Sequence, residues 1–374
     1  MRIAFYAPMK PPGHPVPSGD RRMARLLIEA LRRGGHEVRL ASRLRSWDPG
    51  LDPARPARIE ALGARVADRL IRRWRAAGAD RPDLWFTYHL YHKAPDWLGP
   101  PVAAALGIPY VAAEASHAPR RAEGPWAAGH RAAAAAIRRA AALVTFSDRD
   151  ATGLSALVPA ERIVRLPPFL DAAPFAAVIR RPADPPRLIA VGMMREGDKE
   201  RSYALLAAAL RRLADRPWTL TVVGDGPARP RIEPLYDPSR TSFRGALPPE
   251  SMPQVLAEAD LFVWPAVNEA FGMALLEAQA AGLPAVVGAA GGVTGGIAGI
   301  LRHGETGLLA PVGDEAAFAA AVAALLDDPA QRRTMGEAAR ANILARHDIA
   351  AAAAILDRTL RQVVAGHDDR SHTR

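Results

Sequence analysis

Short apolar runs alternate with longer helical stretches along almost the whole chain, and this alternation constrains the fold more than any other feature. "RIAFYAP" (2–8), "DLWFTYHL" (83–90) and "ALVTFS" (142–147) have the length and apolar content of buried strands. Consecutive parallel strands must be joined by a crossover of a dozen or more residues, which is usually a helix. The alternation therefore predicts an α/β protein built on doubly wound parallel sheets.

The alternation breaks once, near the middle of the chain. The pattern stops at "RLPPFLDAAPF" (165–175), the proline-rich "RRPADPP" (180–186) is typical of a linker, and strands then resume. A chain of 374 residues is also too long for one ordinary core. We expect an N-terminal domain over 1–177 and a C-terminal domain over 181–346, with a last helix at about 348–366 packing back on the first domain.

The composition narrows the cellular context. The chain has no cysteine, which excludes a disulfide framework and thiolate chemistry. No segment approaches the roughly 20 uncharged apolar residues of a membrane span. The first residues, "MRIAFYAP", are typical of a buried strand rather than of a signal peptide. We therefore expect a cytoplasmic protein.

The positive charge is concentrated in the first half. Residues 1–177 contain 27 Lys and Arg against 16 Asp and Glu, whereas the rest contains 22 against 23. This favours an anionic partner, either a phosphate or an acidic membrane, since no nucleic-acid-binding motif is present. The segment "ARIEALGARVADRLIRRWRAAG" (57–78) has an apolar stripe at helical spacing and arginines elsewhere. It can pack on a sheet, lie on an acidic membrane, or do both.

One stretch of the second half carries two acids and a glycine that packing does not explain. After the strand "DLFVWPA" (260–266), Glu269 and Gly272 precede a helix that contains Glu277. Ligands of open α/β sheets bind beyond the carboxyl ends of strands, and the first amides of a helix, here those of Phe271 and Gly272, attract anions. Glu277 lies ~12 Å further along the helix, a spacing that suits a ligand with a sugar at one end and a ribose further on. Taken singly, each acid could equally be an ordinary solvated residue.

Further segments stand in a fixed order around this stretch. They are "ALRRGGHEVRLAS" (30–42), "GDGPAR" (224–229), "FRGALPPESMPQVLAEADLFVWPA" (243–266) and "GETGLLAPVGD" (304–314). With "NEAFGMALLEAQAAGLPAVV" (268–287) they resemble family 4 of the retaining glycosyltransferases, among the group 1 glycosyl transferases of GT-B architecture, over most of the chain. The resemblance implies two Rossmann-like domains facing each other across a cleft. It also implies sugar transfer from a nucleoside diphosphate sugar to an acceptor, with no metal or other cofactor.

The resemblance also assigns a donor site. It implies that Glu269 bonds hydroxyls of the donor sugar at the catalytic centre and that Glu277 bonds the nucleotide ribose. Phe271, Gly272 and Met273 would then meet the sugar–phosphate end of the donor.

The resemblance places a basic pair on the donor diphosphate. Lys199 matches the lysine of that pair, but Met193 stands where relatives have the arginine, and we expect Arg195 to replace it. The base of the nucleotide is expected near Phe243 and Arg244.

In the first half, the resemblance points to the acceptor side. Gly19 lies in a loop that relatives place opposite the diphosphate, whereas Ser18 and Asp20 beside it could simply cap the next helix. His117 follows the fourth apolar run, and relatives often have a histidine there near the transferred sugar. The acceptor would be a glycan, such as a lipid-linked or cell-envelope saccharide, reached from the inner face of the cell membrane.

Other function classes share some of these features. A dinucleotide oxidoreductase would need a complete glycine fingerprint, which "GDGPAR" lacks. A nucleotide-sugar epimerase shares the architecture, and a catalytically silent subunit of a glycosyltransferase complex would explain Met193. His89 and His92 lack a third ligand and do not predict a metal site. Transfer with retention, which the resemblance implies, remains the predicted reaction, and the resemblance also implies that the donor phosphate takes the acceptor proton.

Overall fold

The computed structural model describes residues 1–16, 18–76, 78–269, 272–289 and 299–372. It divides the chain into two compact units. Unit 1 consists of Met1–Pro167 and Ile349–Arg374, and unit 2 consists of Pro168–Asp348. Each unit is built on its own parallel sheet with flanking helices, so the predicted α/β class with two doubly wound sheets is confirmed.

Unit 1 has a six-stranded sheet in the order β2-β1-β3-β4-β5-β6. The strands are β1 (Arg2–Tyr6), β2 (Glu37–Leu40), β3 (Leu84–Leu90), β4 (Tyr110–Ala115), β5 (Ala142–Thr145) and β6 (Ile163–Arg165). The helices are α1 (Gly19–Arg33), α2 (Arg55–Ala76), α3 (Gly99–Leu106), α4 (Ala127–Arg139) and α5 (Asp148–Ser155). The central strands are buried over nearly their whole length because helices cover both faces of the sheet.

Unit 2 repeats this arrangement, with the strand order β12-β11-β10-β7-β8-β9. Its strands are β7 (Arg187–Val191), β8 (Thr219–Val223), β9 (Thr241–Phe243), β10 (Leu261–Trp264), β11 (Ala285–Ala289) and β12 (Gly307–Pro311). Its helices are α6 (Ala173–Ala176), α7 (Asp198–Arg211), α8 (Arg229–Ile232), α9 (Met252–Ala257), α10 (Met273–Ala280), α11 (Glu315–Asp327) and α12 (Pro329–Arg346).

The strand order of each sheet reverses beside its first strand. In unit 1 the chain continues from β1 to β2 on one side and then to β3 on the other side of β1. In unit 2 the chain runs from β7 through β8 to β9 and then places β10 on the other side of β7. Such a reversal opens a crevice at the carboxyl ends of the two central strands, and α/β proteins bind ligands there.

The division between the units falls at Pro167, earlier than the expected boundary at residue 177. The segment after Pro167 packs with unit 2 because Leu170 and Phe175 lie in the core of that unit. Leu170 N also donates to the carbonyl of His347 (3.0 Å). The chain leaves unit 2 beside the point where it enters.

The last helix, α13 (Ile349–His372), returns to unit 1 and packs on α1. His36 Nε2 lies 3.2 Å from Asp357 Oδ1, and a side chain at Gly34 would contact the α13 backbone at Ala353. The final helix therefore completes the helical layer over the first sheet.

Gly224 should be irreplaceable, because a Cβ added there would lie 1.8 Å from the carbonyl oxygen of Gly192. Its φ is also positive, at 137°. We expect Gly224→Ala to lower the free energy of unfolding by about 2 kcal/mol or more, through the clash and the strained backbone, as measured by chemical denaturation. The control is Gly313→Ala, with positive φ but no atom within 4 Å of the added Cβ, which should cost only about 1 kcal/mol. Equal losses would contradict the clash.

Candidate functional site

The strongest candidate site lies where the strand order of unit 2 reverses, at the carboxyl ends of β7 and β10. The loop after β7 leads into α7, whose first turn contains Lys199. The loop after β10 contains Glu269 and leads to α10. Residues 70 positions apart in sequence therefore meet at one crevice.

The loop after β10 is held in a strained but well-bonded shape. Val267 N donates to Ser202 Oγ (3.0 Å), and Asn268 Nδ2 donates to Asp198 Oδ1 (3.2 Å). Ala266 and Asn268 have positive φ values of 56° and 48°, which non-glycine residues seldom adopt. Such backbone costs about 1–3 kcal/mol per residue and persists only where the surroundings enforce it, commonly at functional sites.

Lys199 and Glu269 form an ion pair above an aromatic side chain. The ammonium of Lys199 donates to Glu269 Oε2, and Trp264 Nε1 donates to the same oxygen at 3.1 Å. The ammonium also lies 5.1 Å from the centroid of the Trp264 ring, within cation–π range. The side chains of Lys199 and Glu269 remain 25% and 18% exposed. A cation and a carboxylate are thus held side by side within reach of a ligand.

The helix after this loop is buried and begins next to Glu269. Gly272 precedes α10 with a left-handed backbone (φ 69°), and the helix itself starts at Met273, which is half-buried. The first-turn amides were expected at Phe271 and Gly272. Gly272 instead precedes the helix, whose first turn begins at Met273, and Phe271 lies outside the described residues. Glu277 is 3% exposed within α10, an unusual depth for a carboxylate.

The loop after β7 is fastened to its neighbours by backbone contacts. Met194 N donates to the carbonyl of Asp225 (2.9 Å), and Ala228 N donates to the carbonyl of Met194 (2.9 Å). Met193, where the family resemblance predicts an arginine, is 40% exposed and so is not required for the core. Arg195 is exposed in the same loop. The structure thus places both residues on the surface of the loop that precedes Lys199.

The expected base-binding pair lies at the end of the edge strand β9, with Phe243 as its last residue and Arg244 directly after it. Phe243 packs edge-on against Tyr236, with ring centroids 5.6 Å apart. Arg244 forms an ion pair with Glu258 (3.1 Å) and is exposed. Both residues therefore have structural partners. They lie at β9, which is separated from β7 by β8.

The expected acceptor-side residues of unit 1 have different partners. Gly19 opens α1, where Ser18 Oγ accepts from Arg21 N (3.2 Å) as the helix cap. His117 follows β4 and stacks on His130, with ring centroids 5.0 Å apart. Burial, reinforced by the neighbouring basic groups of His130 and Arg138, lowers the pKa of His117 below its usual value.

The basic residues near His117 are engaged with an aromatic ring. Lys93 and Arg121 lie 4.5 Å and 4.7 Å from the centroid of Trp126. Burial and the charge of Arg121 lower the pKa of His92 to about 4, so this histidine is neutral at pH 7. Over the ranges that the structure describes, no three or more His, Cys, Asp or Glu side chains are arranged to hold a metal ion.

Sequence reasoning missed Trp264 and the contacts of Asp20, His89 and Glu114. The available signal for Trp264 was a large aromatic at the carboxyl end of a buried strand. His89 and Glu114 interrupt two otherwise apolar strands, and such polar residues at strand ends are candidates for binding. Which of them meet depends on strand order, which the sequence does not state.

Comparisons with known proteins identify a family that matches part of unit 2 and relatives that match about half of the chain. Residues 185–328, which include Lys199, Glu269 and Glu277, match the family Glycosyl transferases group 1. The 2-deoxystreptamine glucosyltransferase of Streptomyces kanamyceticus is 35% identical over 213 residues, which are 52% of this chain and 54% of that protein. The chain spans about half the length of this relative.

Solved structures resemble the chain over nearly its whole length. A sucrose-phosphate synthase from Thermosynechococcus elongatus has a TM-score of 0.72 and 22% identity, covering 98% of this chain and 99% of that one. Anabaena HepE in complex with UDP has a TM-score of 0.70 and 17% identity, covering 97% and 100%. At these identities the likeness shows the fold alone, and that fold is the GT-B fold of glycosyltransferases.

Removing the carboxylate of Glu269 should have little effect on stability, because the residue lies on a loop and its ion pair is partly exposed. We expect Glu269→Ala to change the free energy of unfolding by about 1 kcal/mol or less. The control is Asp260→Ala on the same β10 segment, where Asp260 is 3% exposed and accepts from Arg187 N (2.9 Å) and Arg187 Nε (3.2 Å). That substitution should cost about 3 kcal/mol. Chemical denaturation distinguishes the two, and a larger loss at Glu269 would make it a structural residue.

Proposed function

We propose that the chain is a retaining glycosyltransferase that moves a sugar from a nucleoside diphosphate sugar to an acceptor. The observation that carries the proposal is the meeting of Lys199 and Glu269 at the reversal point of unit 2. This crevice lies within the segment that matches the glycosyltransferase family. The GT-B fold of the chain supports the same reaction class.

The arrangement suits a nucleotide sugar because each part of the donor finds a matching group. The ammonium of Lys199 attracts the diphosphate, and the amides at the start of α10 add hydrogen bonds and the positive end of the helix dipole. The carboxylate of Glu269 accepts hydrogen bonds from sugar hydroxyls. Glu277 lies deeper along α10, where it can accept from the two hydroxyls of the ribose.

Transfer with retention takes place on one face of the sugar. The bond between the anomeric carbon and the leaving diphosphate oxygen breaks, and a bond to the acceptor oxygen forms on the same face. The proton of the acceptor hydroxyl passes to the leaving phosphate. Lys199 and the α10 amides stabilise the negative charge that develops on the diphosphate, so the proposed mechanism uses no metal ion.

A nucleotide-sugar panel tests the proposal. We expect one of UDP-, GDP- or ADP-glucose to raise the melting temperature, since a ligand at 100 times its Kd stabilises the folded state by about 2.7 kcal/mol. Glu269→Ala should then abolish transfer without unfolding the protein. Product analysis by NMR should show the sugar on an acceptor with its anomeric configuration kept. An isomerised donor without transfer would indicate an epimerase, and the absence of any nucleotide binding would overturn the proposal.

Calorimetric titration of the same nucleotide sugar tests the diphosphate contacts. Lys199→Ala should weaken binding by about 1.5–3 kcal/mol, the contribution of a hydrogen bond to a charged group. Arg195→Ala should have a similar effect if Arg195 replaces the arginine missing at position 193. Arg231→Ala is the control, because Arg231 is also exposed but pairs with Glu196 and Glu200. An Arg195 effect no larger than that of Arg231 would leave Met193 uncompensated.

We further propose that α2 attaches unit 1 to an acidic membrane that carries the acceptor. The buried residues of α2 are Gly63, Ala67, Leu70 and Trp74, so its apolar stripe faces the protein. Its exposed residues include Arg65, Arg69, Arg72, Arg73 and Arg75. Within the described ranges no helix is long and apolar enough to cross a bilayer. Attachment would therefore be electrostatic.

Liposome sedimentation tests this attachment. We expect binding to acidic but not to neutral vesicles at low salt, with loss at high salt, because each basic residue near an anionic surface contributes about 1 kcal/mol and salt screens it. Arg-to-Glu substitutions at Arg69, Arg72 and Arg73 should abolish binding. The same charge change at the exposed unit 2 residues Arg212, Arg333 and Arg346 is the control. Equal effects of the two triple variants would show that only net charge matters.

A further inference from the structure

A second polar cluster lies in unit 1, at the carboxyl ends of its central strands. His89 belongs to β3 and Glu114 to β4, and the two stand opposite each other in the register between these strands. Asp20 comes from the first turn of α1. His89 Nδ1 lies 3.3 Å from Asp20 Oδ1 and 3.9 Å from Glu114 Oε2. An imidazole therefore faces two carboxylates from two other elements.

The position of this cluster matches that of the candidate donor site. Asp20 follows β1 and His89 ends β3, so they flank the strand reversal of unit 1, as Lys199 and Glu269 flank that of unit 2. The backbone is strained at the same place, with φ values of 64° at His89 and 52° at Glu114. In the part of the chain that the structure describes, these two residues and the two strained residues before Glu269 are the only non-glycine residues with positive φ.

Buried polar atoms at this edge have few partners. His89 Nδ1 and Glu114 Oε2 are buried and have only the ion-pair contacts just described, and Thr145 Oγ1 is buried without a hydrogen bond. Thr145 is wholly buried at the end of β5, the strand next to β4. Proteins rarely leave a buried hydroxyl without a partner, so Thr145 Oγ1 at a ligand-binding edge points to a ligand that supplies one.

The charges around the cluster exclude an anionic ligand. Burial lowers the pKa of His89, but Glu114 and Asp20 more than offset it, and the pKa is raised. Burial also raises the pKa of Glu114, whereas contact with His89 keeps that of Asp20 below its usual value. Besides these residues, the groups that face the cluster are Lys10, Asp150 of α5, Tyr88 and Tyr91. Three acidic residues, Asp20, Glu114 and Asp150, thus face two basic ones, His89 and Lys10, and this balance disfavours a phosphate.

We infer that Asp20, His89 and Glu114 bind and orient the acceptor, and that the reacting end of the acceptor is a neutral or amino-substituted polyol rather than a phosphorylated or carboxylated one. This inference rests on the proposed transfer reaction. Hydroxyl and ammonium groups donate to the carboxylates and to Thr145 Oγ1, while the imidazole donates to an acceptor oxygen. The three residues are positioning residues, because the donor phosphate takes the proton. The basic surface of α2 can still meet an anionic carrier.

Three related cyclitols test the inference by calorimetry: 2-deoxystreptamine (cationic), myo-inositol (neutral) and myo-inositol 1-phosphate (anionic). We expect the cationic or neutral compound to bind at least tenfold more tightly than the phosphate. Asp20→Asn should weaken that binding about tenfold. Asp83→Asn is the matched control, because it removes the same charge at the opposite end of β3, where Asp83 pairs with Arg2 (3.1 Å) at similar exposure. The imidazole NMR signal of His89, assigned with His89→Gln, should shift on binding.

Each outcome decides the inference. Failure of both the neutral and the cationic compound to bind, preference for the phosphate, an unmoved His89 signal, or equal effects of Asp20→Asn and Asp83→Asn would overturn it. In transfer assays His89→Gln should raise the KM for the acceptor at least tenfold and leave hydrolysis of the donor unchanged. Nucleotide-sugar binding measured on the same samples separates the two hypotheses. If the protein binds a nucleotide sugar but shows none of these cyclitol effects, only the acceptor site is contradicted. If it binds no nucleotide sugar, the proposed function is contradicted.

Discussion

The reversal of strand order in each parallel sheet is the constraint on which the rest of the structure depends. Strands that run in one direction end at one edge, and the reversal separates the two loops that leave neighbouring strands there. The segments beside the reversal bring together Lys199 and Glu269 in unit 2 and Asp20 and His89 in unit 1. In a sheet whose strands followed each other in order, there would be no reversal, and no crevice would open in which either pair could form.

The non-glycine residues described with positive φ lie at the carboxyl ends of strands near the two reversals. Ala266, Asn268, His89 and Glu114 hold backbone conformations that cost free energy, and the rigid sheets below them supply the restraint. Their environments are different, however. The unit 2 site combines a cation, a carboxylate and a helix start, whereas the unit 1 cluster has two carboxylates around an imidazole. This contrast fits an anionic ligand part in unit 2 and a hydroxyl-rich one in unit 1.

Local pattern was enough to predict the α/β class and the two doubly wound sheets. The apolar runs are buried strands because helices cover both sheet faces, and periodicity reports that directly. The sequence alone did not predict which distant segments contact each other. Asp20 resembles an ordinary helix-start acid, and only the placement of β3 next to β1 brings it to His89. Trp264 likewise gains its role from a lysine 65 positions earlier. Strand order arises from the packing of the whole sheet, so local sequence patterns do not predict such contacts.

The ion pair between Lys199 and Glu269 has a consequence for ligand selectivity. Each charge already has a partner, so a ligand must offer replacements for both. A nucleotide without a sugar would take the lysine and leave Glu269 with only the indole N–H of Trp264. A nucleotide sugar compensates both at once, with phosphate oxygens for the ammonium and hydroxyls for the carboxylate. Under the proposed function, the ion pair would disfavour the spent nucleotide and so favour its release once the sugar has left.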